Sequence, residues 1–175
     1  VVADVDTSVR QMALDAAGFT VDLVQIDGAD APFEQLGDEL IIELPADSGR
    51  RVTATITYAA SPDEAFSAVG LPAGWFQTEG GSYVLNEPDG ARRWLPSNDH
   101  PSDKATWRFE ITVPDGVTVS ANGDLVQDGQ LGGPWIWQMS EEMPTYLVHL
   151  VIGPYDVFDG GALTSTDGDK IQLTH

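Results

Sequence analysis

An all-β domain, built as a mostly antiparallel sandwich or a saddle-like stack of sheets with long loops, is predicted by three features of the sequence. Apolar and polar residues alternate through residues 51–59 and again through residues 107–113, which is the period-two pattern of half-buried strands. Turn dipeptides such as Asp27-Gly28 and Asn122-Gly123 separate short apolar runs. No long amphipathic helix, repeat or linker interrupts this pattern, so we expect one domain over residues 1–175.

The first third of the chain combines an expected helix with expected strands. Residues 9–18 (VRQMALDAAG) carry apolar residues at helical spacing and end in glycine, which predicts a helix. Residues 19–26 are strand-like and lead into the Asp27-Gly28 turn of a hairpin. Residues 39–44 (ELIIEL) form a short apolar run that Pro45 ends, so a further short strand is expected there.

The clearest strand is expected at residues 51–59 (RVTATITYA). Its apolar side chains face one way and three β-branched threonines face the other, which favours a sheet surface over a helix. The Pro- and Gly-rich residues 61–81 then predict a long connection, with one helical turn at residues 62–66.

Short strands are expected through the second half as well. Residues 145–152 (TYLVHLVI) are nearly all apolar, which predicts a central strand covered on both faces. The tail is rich in turn residues, and Asp167-Gly168-Asp169 is interpreted as a hairpin turn, since the spacing of a calcium loop is missing. Further strands are expected at residues 107–113, 117–120, 124–127, 135–139 and 171–175.

The chain is strongly acidic, because 28 Asp and Glu residues stand against 8 Lys and Arg, for a formal net charge of −20. This charge repels phosphate backbones and anionic membrane surfaces, so neither nucleic acid nor a membrane is expected as a partner. The acidity is expected either to maintain solubility or to attract cationic groups such as a substrate amine. The absence of Cys excludes disulfides, thiolate metal sites and a cysteine nucleophile.

The sequence carries no recognisable targeting signal. No apolar run approaches the roughly 20 residues that a membrane-spanning helix needs. The chain begins with VVADVD, without Met and without a signal-peptide pattern, which predicts a mature or excised piece of unknown compartment.

The three histidines do not form a metal motif in the sequence, because no His-Glu-x-x-His pair exists. Asp99, His100 and Asp103 could form a small metal cluster, but a solvated turn is the favoured interpretation. His149 is expected to be a hydrogen-bonded core or face residue, and His175 lies at the end of the chain.

Trp135 and Trp137 share one face of an expected strand, where they could form part of the core or a platform for stacking sugars. No Gly-x-Ser-x-Gly, phosphate loop or dinucleotide motif is present. Composition and spacing alone therefore predict a binding or structural module without its own catalytic machinery.

A family resemblance enters at residues 82–113, SYVLNEPDGARRWLPSNDHPSDKATWRFEITV. This stretch resembles the amino-terminal domain of zinc aminopeptidases of the aminopeptidase N and leukotriene hydrolase family. LDAAGFTVDLVQIDG upstream, and SANGDL and MPTYLVHLVIGPYDVF downstream, resemble further segments of that domain in the same order. The matching positions are Glu87, Arg92 or Arg93, Pro96, Asp99, Pro101 and Lys104.

The resemblance implies a β domain that packs on a thermolysin-like catalytic domain of the same parent protein. In that family, zinc sits on a His-Glu-x-x-His helix of the catalytic domain, so no cofactor and no catalytic residue is expected in this chain, which would be inactive alone. Glu87 is implied to bind the free amine of a peptide's amino terminus. Arg92, Arg93, Pro96, Asp99, Pro101 and Lys104 are implied to form a structural loop.

The sequence departs from the family pattern at several places. Leu85 replaces a Gln two residues before Glu87, and Ser97-Asn98-Asp99-His100-Pro101 replaces the Cys-x-Asp-Glu-Pro core. The first strand or two of the domain are expected to be missing, which would leave strand edges exposed. The alternative function is a stand-alone β-sandwich module that binds carbohydrate, through Trp135 and Trp137, or a protein partner.

Overall fold

Strands make up the regular structure in the described part of the chain, apart from two 3₁₀ helices, Ala91–Arg93 and Thr145–Leu147. The computed structural model describes residues 1–6, 8–47, 49–62, 65–156, 158–166, 168 and 170–174. None of the helical segments in these ranges is long and apolar enough to cross a membrane. The predicted all-β class is confirmed. The strands are β1 (Val2–Asp4), β2 (Gln11–Asp15), β3 (Thr20–Ile26), β4 (Ala29–Asp30), β5 (Phe33–Leu36), β6 (Glu39–Glu43), β7 (Arg51–Ala59), β8 (Ala65–Phe66), β9 (Pro72–Thr78), β10 (Gly81–Leu85), β11 (Lys104–Ile111), β12 (Thr118–Ala121), β13 (Asp124–Gln127), β14 (Trp135–Pro144), β15 (Leu150–Gly153), β16 (Asp159–Thr164) and β17 (Lys170–Thr174).

Residues 1–60, the amino-terminal third of the chain, form two small antiparallel sheets around one apolar core. We call this part the first half of the fold, because it holds one of the two cores. The strand order is β1-β7-β3-β4 in one sheet and β2-β6-β5 in the other. Val24, Leu40, Ile42 and Val52 from both sheets belong to one cluster and are completely excluded from solvent. Because burying one such side chain contributes roughly 1.5–3 kcal/mol, this half is held together by apolar packing.

Two strand predictions in this half are confirmed. In β7, Val52 and Ala54 are buried while the threonines on the other face, Thr53, Thr55 and Thr57, are exposed. Strands β3 and β4 pair across Asp27 and Gly28, whose φ angles are 50° and 85°. A two-residue type I′ hairpin turn requires positive φ at both positions, which explains the Asp-Gly dipeptide.

The helix expected at residues 9–18 is wrong, because its centre is strand β2. Met12 and Leu14 pair with Ile42 and Leu40 of β6, and Ala13 between them is exposed. The segment therefore follows the strand period, with apolar Met12 and Leu14 two positions apart, and not the helical period. The reason is that its backbone hydrogen bonds go to the neighbouring strand β6.

The connection expected at residues 61–81 also contains strands. Ala65–Phe66 is β8 and not part of a helical turn, while Asp63 and Glu64 lie outside the described residues. β8 pairs with β9, in which Ala73 and Phe76 are buried and Trp75 packs against the second core cluster. Proline at the first position of β9 and glycine within it hid this strand from the sequence pattern.

The second half of the fold packs a five-stranded sheet, in the order β12-β15-β10-β9-β8, against a three-stranded sheet, β11-β14-β13. Its core cluster contains Val119 of β12, Leu150 of β15, and Trp135 and Trp137 of β14. All five tryptophans of the chain lie between residues 75 and 137, so this core is rich in indole rings while the first is largely aliphatic.

The strand predicted over residues 145–152 is shorter than expected. Thr145–Leu147 is a 3₁₀ helix, and β15 begins only at Leu150. In the tail, β16 pairs with β17 as a hairpin, which confirms the last strand. The expected turn falls on Asp167 and Asp169, which lie outside the described residues, as does His175.

The two halves meet where β2 approaches residues 92–99. The backbone N–H of Asp15 donates to the carbonyl of Ser97 at 2.8 Å, and the reverse bond is 3.1 Å. The N–H of Ala17 donates to the carbonyl of Arg92 at 2.8 Å. Polar contacts therefore join the two cores, and they bring β2 against the segment that contains the expected site residues.

Candidate functional site

Glu87 lies in a tight turn between β10 and the first 3₁₀ helix. The N–H of Gly90 donates to the carbonyl of Asn86 at 2.8 Å, which closes the turn. A Cβ atom added at Gly90 would lie 2.5 Å from the carbonyl oxygen of Leu85, so the turn is packed directly against the sheet. The Glu87 side chain is exposed, and no ion pair or hydrogen bond reaches it from the described part of the chain.

A shallow open depression of about 350 Å³ lies beside this turn, and we call it the Glu87 groove. Glu87 is the carboxylate among the residues that line it, and the other lining residues are mainly apolar or aromatic. A lone carboxylate beside apolar side chains can pair with a cationic group that the same surface partly shields from water. The lining residues are Leu71, Pro72, Val84, Leu85, Asn86, Glu87, Tyr146, Val148 and His149.

Tyr146, Val148 and His149 form the far wall of the groove. Two asparagine side chains satisfy the irregular backbone of residues 147–149. Asn86 Nδ2 donates to the carbonyl of Val148 at 2.7 Å. Asn122 Nδ2 donates to the carbonyl of Leu147 at 3.1 Å, and its Oδ1 accepts from the N–H of His149 at 2.6 Å. These bonds replace the strand ladder expected at these residues, because side-chain amides can satisfy backbone groups that no neighbouring strand reaches.

His149 is a hydrogen-bonded face residue, as expected from the sequence. Its Nε2 lies 3.2 Å from Ser120 Oγ, and partial burial lowers the pKa of the imidazole. The neutral ring is therefore favoured at neutral pH, so Glu87 is the charged group of the groove.

Asp99 is the buried charged residue of the described chain, with only 5% of its surface exposed. Its Oδ2 accepts hydrogen bonds from the backbone N–H and the Nε of Arg92, at 3.2 and 3.1 Å. Its Oδ1 accepts from Thr145 Oγ1 at 2.5 Å. The interpretation of Asp99 as part of a solvated turn is therefore wrong, because three donors compensate the cost of removing this carboxylate from water.

Arg92 extends this network to the first half of the fold. Its guanidinium Nη1 lies 2.6 Å from Asp15 Oδ1, and Asp15 Oδ2 accepts from the N–H of Asp99 at 2.8 Å. Partial burial acts to lower the pKa of Arg92, but the charges of Asp15 and Asp99 outweigh it and the net pKa lies above its ordinary value. Arg92 is therefore a permanent cation between two carboxylates.

The other expected loop residues lie apart from this network. Arg93 Nη2 donates to the carbonyl of Phe66 at 3.0 Å, which ties the first 3₁₀ helix to β8. Pro96 is buried, whereas Pro101 and Lys104 are exposed. Their structural role stays a prediction.

The described residues do not bring together three or more His, Asp or Glu side chains in a way that could hold a metal ion. His100 Nδ1 contacts Ser102 Oγ at 2.8 Å, and Asn98 donates to Asp103 at 2.7 Å, so these neighbours of Asp99 are engaged in local turn contacts. The chain's described residues thus do not fit a zinc ion.

Trp135 and Trp137 are core residues and do not form a sugar platform. Their exposed fractions are 1% and 9%, and Trp137 Nε1 donates to the carbonyl of Val119 at 3.2 Å. The stacking surface required by the carbohydrate-binding alternative is therefore inside the protein.

Three residues that shape the site were not found from the sequence, namely Asp15, Asn86 and Thr145. Asp15 lies 77 positions before Arg92, and Asn86 lies 62 positions before its partner Val148. No local pattern marks such pairs. The family resemblance drew attention to Glu87 but not to Asn86, the residue immediately before it.

These features define a class of protein, a two-core β domain with a carboxylate-bearing groove and no metal site of its own among the described residues. A family model described as the peptidase M1 N-terminal domain matches residues 1–147. The chain belongs to this family, which confirms the resemblance to the amino-terminal domain of zinc aminopeptidases.

Individual relatives agree with this assignment. A probable aminopeptidase 1 from Saccharolobus solfataricus is 27% identical over 150 residues, which are 84% of this chain and 18% of that protein. Leucine aminopeptidase 2 from Yarrowia lipolytica is 28% identical over 165 residues, 87% of this chain and 24% of that protein. The chain therefore spans about a fifth to a quarter of the length of these two relatives.

A solved structure supports the same family assignment. An M1 zinc metallopeptidase from Deinococcus radiodurans, bound to a Tyr-Ser-Ala substrate, superposes with a TM-score of 0.85 and 26% identity. The match covers 95% of this chain and 39% of that one. Aminopeptidase A from Legionella pneumophila shares the fold, with a TM-score of 0.75 over 97% of this chain.

Proposed function

We propose that this chain is the substrate-side amino-terminal domain of a zinc-dependent aminopeptidase, in which it braces the catalytic domain and helps to recognise the free amine of a peptide. The observation that carries this proposal is the carboxylate of Glu87 at the edge of the Glu87 groove, which no described residue pairs with. Membership of the peptidase M1 N-terminal domain family supports it.

The chemistry of Glu87 suits amine recognition. A carboxylate without a protein partner keeps its full capacity to accept hydrogen bonds from an ammonium group. Charge-assisted bonds of this kind are roughly twice as strong as neutral ones, and an internal peptide nitrogen cannot make them. A peptide with a free amino terminus would therefore be selected over an interior segment of the same sequence.

The surface next to the groove suits the bracing role. Phe66, Val69, Leu71 and Leu85 are exposed at 64%, 68%, 55% and 44%, and the last two also line the Glu87 groove. An apolar surface of this kind next to a binding groove is typical of an interface. The proposed occupant is the catalytic domain of the same protein, because that domain must approach Glu87 for the carboxylate to meet a substrate.

Zinc belongs to the catalytic domain in this proposal. The described residues of the chain offer no cluster of ligands for it, so the metal and the hydrolytic step would both come from outside the chain. The isolated chain is accordingly expected to show no zinc-dependent peptidase activity. The protein as its gene encodes it should contain His-Glu-x-x-His and Gly-x-Met-Glu-Asn segments, and their absence would contradict the proposal.

Glu87→Gln, made in the protein as its gene encodes it, tests the role of the carboxylate. Loss of a hydrogen bond to a charged group costs about 1.5–3 kcal/mol, so KM for an aminoacyl anilide should rise about 10- to 100-fold. The control is Glu110→Gln, since Glu110 is an exposed acid on β11 whose only described ion-pair partner is Arg108, and this variant should leave KM unchanged. Unchanged kinetics for Glu87→Gln would show that amine recognition lies elsewhere, as the Leu85 departure would allow.

A further inference from the structure

A buried amide lies immediately before Glu87, and neither the sequence pattern nor the family resemblance assigned it a role. Asn86 is only 3% exposed, although polar side chains are rarely buried to this extent. We propose that Asn86 is a positioning residue, which fixes the direction and distance of Glu87 relative to the far wall of the groove. This role rests on the amine-binding function proposed for Glu87.

The contacts of Asn86 connect the two walls of the groove. Its Nδ2 donates to the carbonyl of Val148 at 2.7 Å, and its Oδ1 accepts from Trp94 Nε1 at 2.9 Å. An indole N–H can only donate and a backbone carbonyl can only accept. The amide is therefore held in one orientation, because turning it over would place two donors together and two acceptors together.

The backbone of Asn86 fixes the turn from the other side. Its carbonyl accepts the N–H of Gly90, and Gly90 is packed against Leu85 with no room for a Cβ. Glu87 is the next residue, so its Cα is set by a side-chain link to Val148 and by a backbone link across the turn. The backbone of Glu87 is thus held in place relative to Val148, which lines the same groove as Tyr146 and His149.

An apolar residue would not provide this link. A leucine of similar volume would fill the space without the cost of burying an amide, but it would leave the Val148 carbonyl without its donor. Apolar packing also allows several side-chain arrangements, whereas two hydrogen bonds of fixed polarity allow one. The position of Asn86 next to Glu87 explains why an amide is used here.

The test uses Asn86→Asp in the protein as its gene encodes it. The carboxylate keeps the size and the acceptor for Trp94 but replaces the donor to Val148 with a negatively charged oxygen. Because small displacements of a binding group have large effects, KM for an aminoacyl anilide should rise about tenfold while kcat changes less than about twofold. Adding Asn86→Asp to Glu87→Gln should produce no further rise, since Asn86 acts through Glu87.

Thr118→Val is the matched control. Thr118 is also buried, and its Oγ1 donates one hydrogen bond to the carbonyl of Tyr155 at 2.7 Å, but it lies on β12 outside the groove lining. The Thr118→Val variant loses a comparable hydrogen bond to a backbone carbonyl and should leave KM unchanged. Trp94→Phe is the second variant, because it keeps an aromatic ring but removes the indole donor, and KM should rise in the same direction.

Amide hydrogen exchange gives a readout that does not depend on catalysis. Exchange of residues 86–90 should accelerate at least about tenfold in Asn86→Asp and remain unchanged in Thr118→Val. Unchanged exchange there, or KM effects of Asn86→Asp and Glu87→Gln that multiply in the double variant, would overturn the positioning role. If Glu87→Gln has no effect on KM while exchange accelerates as expected, the amine-binding proposal fails and the structural link stands.

Discussion

The two cores of this protein differ in the kind of side chain they bury. The core of residues 1–60 is lined by apolar side chains, and no buried polar residue is found among the described residues of that half. Among its described residues, the second half buries seven that are polar or charged, which are Ser67, Ser82, Asn86, Ser97, Asp99, Thr118 and Thr145.

The two kinds of buried side chain do different things for the fold. Apolar packing fills space efficiently but does little to fix the direction of an individual side chain. Hydrogen bonds between buried groups have defined polarity and geometry, so they hold turns and irregular backbone in one arrangement. The polar burial is therefore concentrated in the half that carries the Glu87 groove.

The largest expected effect comes from removing the central carboxylate of the polar network. Asp99→Ala leaves Thr145 and part of Arg92 without an acceptor, and breaking a buried pair from one side should cost about 3 kcal/mol of unfolding free energy. The comparison in the apolar half is Ile42→Val, which should cost about 1 kcal/mol. Urea unfolding followed by circular dichroism measures both, and a smaller loss for Asp99→Ala than for Ile42→Val would mean that the polar network is dispensable.

A smaller loss is expected where the Glu87 turn meets the sheet. Gly90→Ala would place a Cβ atom 2.5 Å from the Leu85 carbonyl oxygen and 2.8 Å from the Gly74 nitrogen, so the backbone must shift at a cost of about 1–3 kcal/mol. Gly80→Ala is the matched control, because its nearest neighbour is Thr78 Oγ1 at 4.0 Å. Equal urea midpoints for the two variants would show that the turn is more loosely packed than its geometry indicates.

The smallest effect concerns the pH dependence of stability. Partial burial lowers the folded-state pKa of His149 below its ordinary value of 6.5, so the unfolded chain binds the proton more readily. Stability from this group is fully present above about pH 6.5 and is lost as the pH falls through the lowered pKa. His149→Gln should therefore reduce the fall in urea midpoint between pH 7.5 and pH 5, whereas an identical pH profile would exclude this contribution.

The apolar half shows how far local patterns predict structure. The alternation of residues 51–59 gave the bounds of β7, and Asp27-Gly28 gave the hairpin turn, because both depend on neighbours in the sequence. The helix expected at residues 9–18 failed because its short apolar run fits both periods, and only the partner strand β6 decides between them.

The polar half shows why the site was predicted less well. Glu87 was found through its resemblance to a family position, but the polar network centred on Asp99 depends on residues distant in the chain. Asp15 reaches Arg92 from the other half, and Thr145 leaves the predicted strand to donate to Asp99. No periodicity encodes such contacts, because they form only after the two sheets have been brought together.

The indole rings are confined to one half of the protein, so tryptophan fluorescence can follow that half separately from the other. Because all five tryptophans lie between residues 75 and 137, tryptophan fluorescence reports the second half alone. Circular dichroism, in contrast, registers the strands of both halves. Coincident transitions by the two methods would mean that the halves unfold as one cooperative unit. An earlier fluorescence change would mean that the half with the Glu87 groove can open while the aliphatic core stays folded.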